Sequence, residues 1–319
     1  MRTPGPAVQP DGAVPVTWHY GEVTGPEDLS VPPTRRSRRA AAQAAPVGPV
    51  VPSDTQVIAA LPLRPAGAVR YWTSALTLVV AGVLSLGAAA GTGPMAAAFA
   101  LAAVLLATGW PDLLGLPSPR GTTSVVALAG VAVAVAAVTT RTEPRLAWLA
   151  FAVAACLVAE FAHQLLRRDG RPRLVESIAG SVLALFVLAS FSAVLALPRS
   201  PVTAGGVLAW AAAVAAALLT EAVLERLSGP LPVRGVLAVP LAVLVAVVVG
   251  GVCGAAAAAV SWPAGAVAGG LSAVVALVLH RLLVQLPAAG RAPGWLALAV
   301  APLAGSGMVG YVVLRLALG

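Results

Sequence analysis

From residue 70 onward the chain passes through nine stretches of about twenty apolar residues, separated by eight short runs of helix breakers. About twenty apolar residues are what a helix needs to cross the ~30 Å of hydrocarbon in a bilayer. Inside that hydrocarbon every backbone N–H and C=O must find its partner within the protein, so a spanning segment has to be a helix or part of a closed barrel. Runs of Ala, Val and Leu at this length predict helices. The spans read as 71–91, 94–111, 122–140, 145–166, 174–197, 202–224, 235–258, 263–285 and 295–317, with "GTGP", "GLPSPRG", "TEPR", "RDGRPR", "PRSP", "SGPLPVRG", "SWP" and "PAAGRAPG" between them.

Composition excludes the soluble alternative. Only 10% of residues are charged, against roughly 25% in soluble domains. The mean hydropathy is +0.92. The expected fold class is all-α, a polytopic transmembrane bundle over residues 70–319. Residues 1–69 carry twelve prolines and no helical or strand period. They read as a disordered cytoplasmic tail, unable to bury enough surface to fold alone. This tail holds no apolar core of signal-peptide length, and the twin arginines at 35–36 and 38–39 stand too far from the first span for a twin-arginine signal.

All 20 basic residues are arginine. With the N-terminus inside, the tail and the loops after spans 2, 4, 6 and 8 hold sixteen of them, and the other side holds Arg141, Arg145, Arg199 and Arg315. That asymmetry predicts a cytoplasmic N-terminus and an extracytoplasmic C-terminus. It also accounts for the pI near 11.1 without nucleic acid. Arg35, Arg36, Arg38 and Arg39 would attract anionic lipid headgroups, and the tail is long enough to recruit a cytoplasmic protein. Trp72, Trp110, Trp148, Trp262 and Trp295 fall near span ends, as expected of rings at the headgroup layer, whereas Trp210 falls mid-span and is expected to face another helix.

An internal echo points to duplication. "GLPSPRG" and "GPLPVRG" place Gly121 and Gly235 114 residues apart, and "AHQLLRR" and "LHRLLVQ" place His163 and His280 117 apart. Two parallel four-helix units plus a ninth span would give such offsets.

Ionisable residues gather at the cytoplasmic ends of the even-numbered spans. Glu160 and His163 lie one to two turns inside span 4, Glu221 and Glu225 share a face at the end of span 6, and His280 ends span 8. Arg167, Arg168, Arg171 and Arg173 follow span 4 and suit bidentate binding of phosphate or carboxylate. Interfacial snorkelling explains part of this layer. Carboxylates and imidazoles below the interface cost a few kcal/mol and so mark binding residues. Facing one another across the bundle, Glu160, His163, Glu221 and His280 would bind a cation, relay a proton or hold a headgroup.

Catalytic signatures are missing. One Glu-x-x-His is half of what a di-iron bundle needs, and the acidic clusters of CDP-alcohol phosphotransferases and the Lys/Asp signature of phosphatidate cytidylyltransferases do not occur. No P-loop, zinc-protease helix or nucleophile elbow appears. No catalytic residue, metal or cofactor is assigned. Cys156 and Cys253 read as packing residues. Glycines four apart, Gly250 with Gly254 and Gly265 with Gly269, read as close helix contacts. Pro302, Gly305, Gly307 and Gly310 in span 9 predict an interrupted helix beside a substrate cavity.

The Arg-only basic set, the Ala/Val-rich spans, "GWPDLLGLPSPRG" and "LLRRDGRPRLVESIAG" resemble the uncharacterised multi-pass membrane proteins of high-GC actinobacteria. The resemblance implies a plasma-membrane location and carries over no activity. Three functions remain open: a permease or flippase-like transporter, which the broken ninth span favours; a scaffold acting through the tail; and a lipid-modifying enzyme with a cytoplasm-facing site.

Overall fold

The computed structural model describes residues 66–140, 145–166, 173–197, 200–227 and 232–318. Among them there is no strand, and nine spans are long and apolar enough to cross a bilayer. The chain is therefore an all-α, multi-pass membrane protein. The helices are α1 (Ala66–Ala90), α2 (Thr92–Leu114), α3 (Pro119–Thr139), α4 (Arg145–Leu166) and α5 (Leu174–Ser192), which continues into a 3-10 turn at Ala193–Ala196. They are followed by α6 (Pro201–Leu227), α7 (Pro232–Ala256), α8 (Trp262–Val284), α9 (Gly294–Gly305) and α10 (Gly307–Leu318). Observed and expected span limits agree to within three residues. Helix α1 starts at Ala66, inside the stretch read as tail; the rest of that tail lies outside the described residues.

Local chemistry sets the ends. Gly91 alone joins α1 to α2 at φ 118°, a conformation that side chains rarely adopt. Gly115 closes α2 in the left-handed conformation, where its N–H donates to the Asp112 carbonyl and the Leu116 N–H to that of Pro111. This pairing satisfies two of the helix's last free carbonyls. Pro111 sits in the last turn of α2 and cannot donate to the Ala107 carbonyl one turn back. The Thr123 hydroxyl from α3 donates to that carbonyl instead, at 3.1 Å.

Helix α9 occupies the centre, packed on α1, α2, α5 and α8 and buried along Ala297–Ala304. Around it run two sets of successive neighbours, α2–α3–α4 and α6–α7–α8. Helix α1 lies against α6, while α5 reaches α2 and α3. Helices α4 and α7 lie outermost. Close approach at α7–α8 depends on missing side chains: a Cβ on Gly265 would stand 2.4 Å from the Gly250 carbonyl oxygen. The expected role of these glycines in packing is met.

The ninth span is interrupted at Gly305–Ser306–Gly307, as its breakers predict, and the break is closely packed: a Cβ on Gly307 would stand 2.5 Å from the Ser190 carbonyl oxygen. Ser190 of α5 bridges the break, donating to the Gly305 carbonyl at 2.8 Å and accepting the Met308 N–H at 3.0 Å. Ser306 is buried and receives the Trp210 indole N–H at 3.3 Å. Dense packing with satisfied hydrogen bonds leaves no room for a solute there. Trp210 thus faces another helix, as expected. Trp110, near the end of α2, is not exposed to a headgroup layer: it is fully buried and donates to the Gly180 carbonyl at 2.8 Å. Both cysteines are free.

Candidate functional site

At one end of the bundle two polar clusters form, on different helices. The first is built by α3, α4 and α5. Glu160 is completely buried, and Gln164, four residues on and thus on the same helix face, donates from Nε2 to Glu160 Oε1 at 2.6 Å. The same amide donates to Ser177 Oγ of α5 at 3.0 Å. Ser181 Oγ donates to the Ser177 carbonyl, and it stands 3.4 Å from Thr122 Oγ1 of α3. Glu160 Oε2, His163 Nε2 and Ser118 Oγ are buried without a hydrogen-bond partner. The His163 ring lies directly over Gly121, where a Cβ would come 1.9 Å from Nε2.

The second cluster joins α1, α6 and α8. Glu221, also buried, accepts from Arg281 Nε at 2.5 Å, and Arg70 lies 4.0 Å from the same oxygen. Arg70 also pairs with Glu225. His280 Nδ1 is 3.6 Å from Glu221 Oε2, close in charge terms but too long for a hydrogen bond. Both His280 nitrogens are buried without a hydrogen bond. Two carboxylates and two guanidinium groups balance, which is what makes a buried carboxylate tolerable inside a membrane span. Arg226 stacks over Tyr71, 5.8 Å from its centroid, adding a second tie between α6 and α1.

The expected residues are therefore placed as two sets. Glu221, Glu225 and His280 come together; Glu160 and His163 belong to the other cluster, and among the described residues no contact joins the two. The expectation that all four face one another is corrected, because α4, which carries Glu160 and His163, packs on α3 and α5, whereas α6 and α8, which carry Glu221 and His280, pack on each other and on α7. Arg173 does not turn inward: it is exposed, donates to Glu176 at 2.5 Å and to the Gly115 carbonyl at 2.9 Å, and so ties the α2–α3 turn to the start of α5. Arg167, Arg168 and Arg171 lie outside the described residues. Among the described residues no group of three or more His, Cys, Asp and Glu side chains could hold a metal ion.

No protein-family model, curated protein or solved structure matches this chain.

The opposite end of the bundle holds a cavity of about 600 Å³. Its walls come from the end of α1, the start of α2, Ala137 of α3, the 3-10 turn, the start of α6 and Ala257 just beyond α7. A volume of this size is in the range that binds small molecules, roughly 300–1,000 Å³. Helices α1 and α6 thus contribute to both ends: Ser85–Ala89 and Thr203–Leu208 border the cavity, while Arg70, Glu221 and Glu225 sit in the ionic cluster. Sequence reading missed the cavity because its wall is as apolar as any other part of these spans. It also missed Ser177, whose only signal is its helical spacing from Ser181.

Proposed function

We propose that the protein is a transporter of the plasma membrane that works by opening and closing the two ends of the α1–α6 pair in turn. One observation carries the reading: the same two helices border an open cavity at one end and are tied by Arg70, Glu225 and Glu221 at the other, where Arg281 of α8 joins them. A bundle closed by a charge cluster at one end and hollow at the other is one of the two states that alternating access requires. The arginine asymmetry of the loops supports a cytoplasmic N-terminus, which puts the ionic cluster on the cytoplasmic side and the cavity on the outer side. Glu160, with one carboxylate oxygen unpartnered inside a span, is the group best suited to couple transport to a cation.

The test is accessibility. Cys156 and Cys253 are first replaced by alanine. The thiols of Ala204→Cys, in the cavity wall, and Ala222→Cys, beside Glu221, are then titrated with a maleimide in proteoliposomes. The ionic pair Arg70–Glu225 is partly exposed and is worth up to about 1 kcal/mol. Glu225→Gln should therefore raise labelling at position 222 about two- to five-fold and lower it at position 204. Labelling that stays the same at both positions describes a rigid bundle and removes the transporter reading.

A further inference from the structure

We propose that the outer cavity holds the hydrocarbon chain of a membrane lipid, which enters sideways from the bilayer past Leu86. Arg199, between the wall residues Leu197 and Ser200, lies outside the described residues; among the described residues bordering the cavity none carries a charge. Its hydroxyls are largely committed: Ser85 donates to the Ala81 carbonyl at 2.7 Å, while Ser200 and Thr203 bond to each other. A polar solute would give up its hydration for a wall that is mostly apolar, whereas a hydrocarbon chain leaves no polar group unpaired. Leu86, Met95, Leu195, Leu197 and Leu208 supply the apolar wall.

The way in is on the same surface. Leu86 borders the cavity and also a second, shallower groove formed with Val83, Pro94 and Leu101 between α1 and α2. Leu86 is 72% exposed and Leu101 54%. On a membrane span such outward-facing side chains meet acyl chains. Leu86 therefore stands between the lipid-facing groove and the interior, and a chain lying in the groove is one side chain away from the cavity. As a statement about cargo the proposal rests on the transporter reading; as a statement about occupancy it does not.

The experiment uses the full chain in nanodiscs of phosphatidylcholine with a diazirine at the acyl terminus. After photolysis, adducts are mapped by peptide mass spectrometry. Adducts are expected on the wall residues Met95, Leu195 and Ala204. Ala204→Trp, which fills the cavity, should reduce them several-fold while labelling of the lipid-facing Phe186 and Val158 stays constant. Leu86→Trp, at a position that is 72% exposed, should reduce them as well. Adducts confined to outward-facing residues, and indifferent to both substitutions, mean annular lipid only and overturn the proposal. An unlabelled cavity in a protein whose ends still open in turn points to a water-soluble cargo and overturns it too. Labelled walls in a protein whose two ends do not respond to Glu225→Gln uphold occupancy and sink the transporter reading alone.

Discussion

Glu160 and Glu221 are both fully buried carboxylates near the ends of membrane spans, yet their surroundings are opposite in kind. Glu221 has two guanidinium groups within 4.0 Å. Glu160 has an amide and neighbouring hydroxyls, with one oxygen left over. The sequence marks both, because an acid set a turn or more inside an apolar run is unusual anywhere. It does not say which has a countercharge, since Arg70 and Arg281 reach Glu221 from helices 151 and 60 residues away in the chain (221 − 70 and 281 − 221). In the same cluster, His163 is seated over Gly121. Gly121→Ala would push a methyl group into the imidazole, which must then turn or shift. Overpacking of this kind costs about 1–3 kcal/mol. The expected outcome is a lower melting temperature in detergent, with Gly82→Ala, where a Cβ meets nothing within 4 Å, as the unaffected control.

At the scale of elements, the ninth span shows how breakers can be read correctly and still mislead. Pro302, Gly305 and Gly307 end one helix and start another, as their chemistry requires. The inference from a break to a cavity fails because Ser190 of α5 supplies the hydrogen bonds that the break frees. A serine in the middle of an Ala/Leu/Phe helix gives little notice of that role. Ser190→Ala should leave the Gly305 carbonyl and the Met308 N–H without their partner, at a cost of about 1–3 kcal/mol each in a buried setting. Hydrogen exchange is expected to rise at residues 305–310 ahead of global unfolding. Unchanged protection there would mean that the two helices hold the break by packing alone. The duplication suggested by the offsets of 114 and 117 residues meets a mixed outcome at this scale. The runs α2–α3–α4 and α6–α7–α8 correspond, but α1 packs extensively on α2, while α5 and α6 share no comparable contact.

For the whole molecule, the sixteen-to-four distribution of arginine is the strongest guide to orientation. Single cysteines at Ser30 and Pro198, in a background free of Cys156 and Cys253, should label oppositely in intact cells: position 198 with an impermeant maleimide from outside, position 30 only after permeabilisation. The reverse result would turn the proposed transporter over in the membrane and put the cavity on the cytoplasmic side. What the sequence determined by itself is the number, limits and helical nature of the spans. A bilayer enforces those locally, residue by residue, by leaving each segment to satisfy its own backbone. What only the tertiary structure decided is which spans are neighbours: that the polar residues divide into two clusters on different helices, and that α1 and α6 border a cavity at one end and are held by ions at the other. In spans that are apolar all round, no face is marked for burial. The choice of partner then falls to close packing among glycines and alanines and to a few long-range polar contacts, which exist only once the helices are assembled.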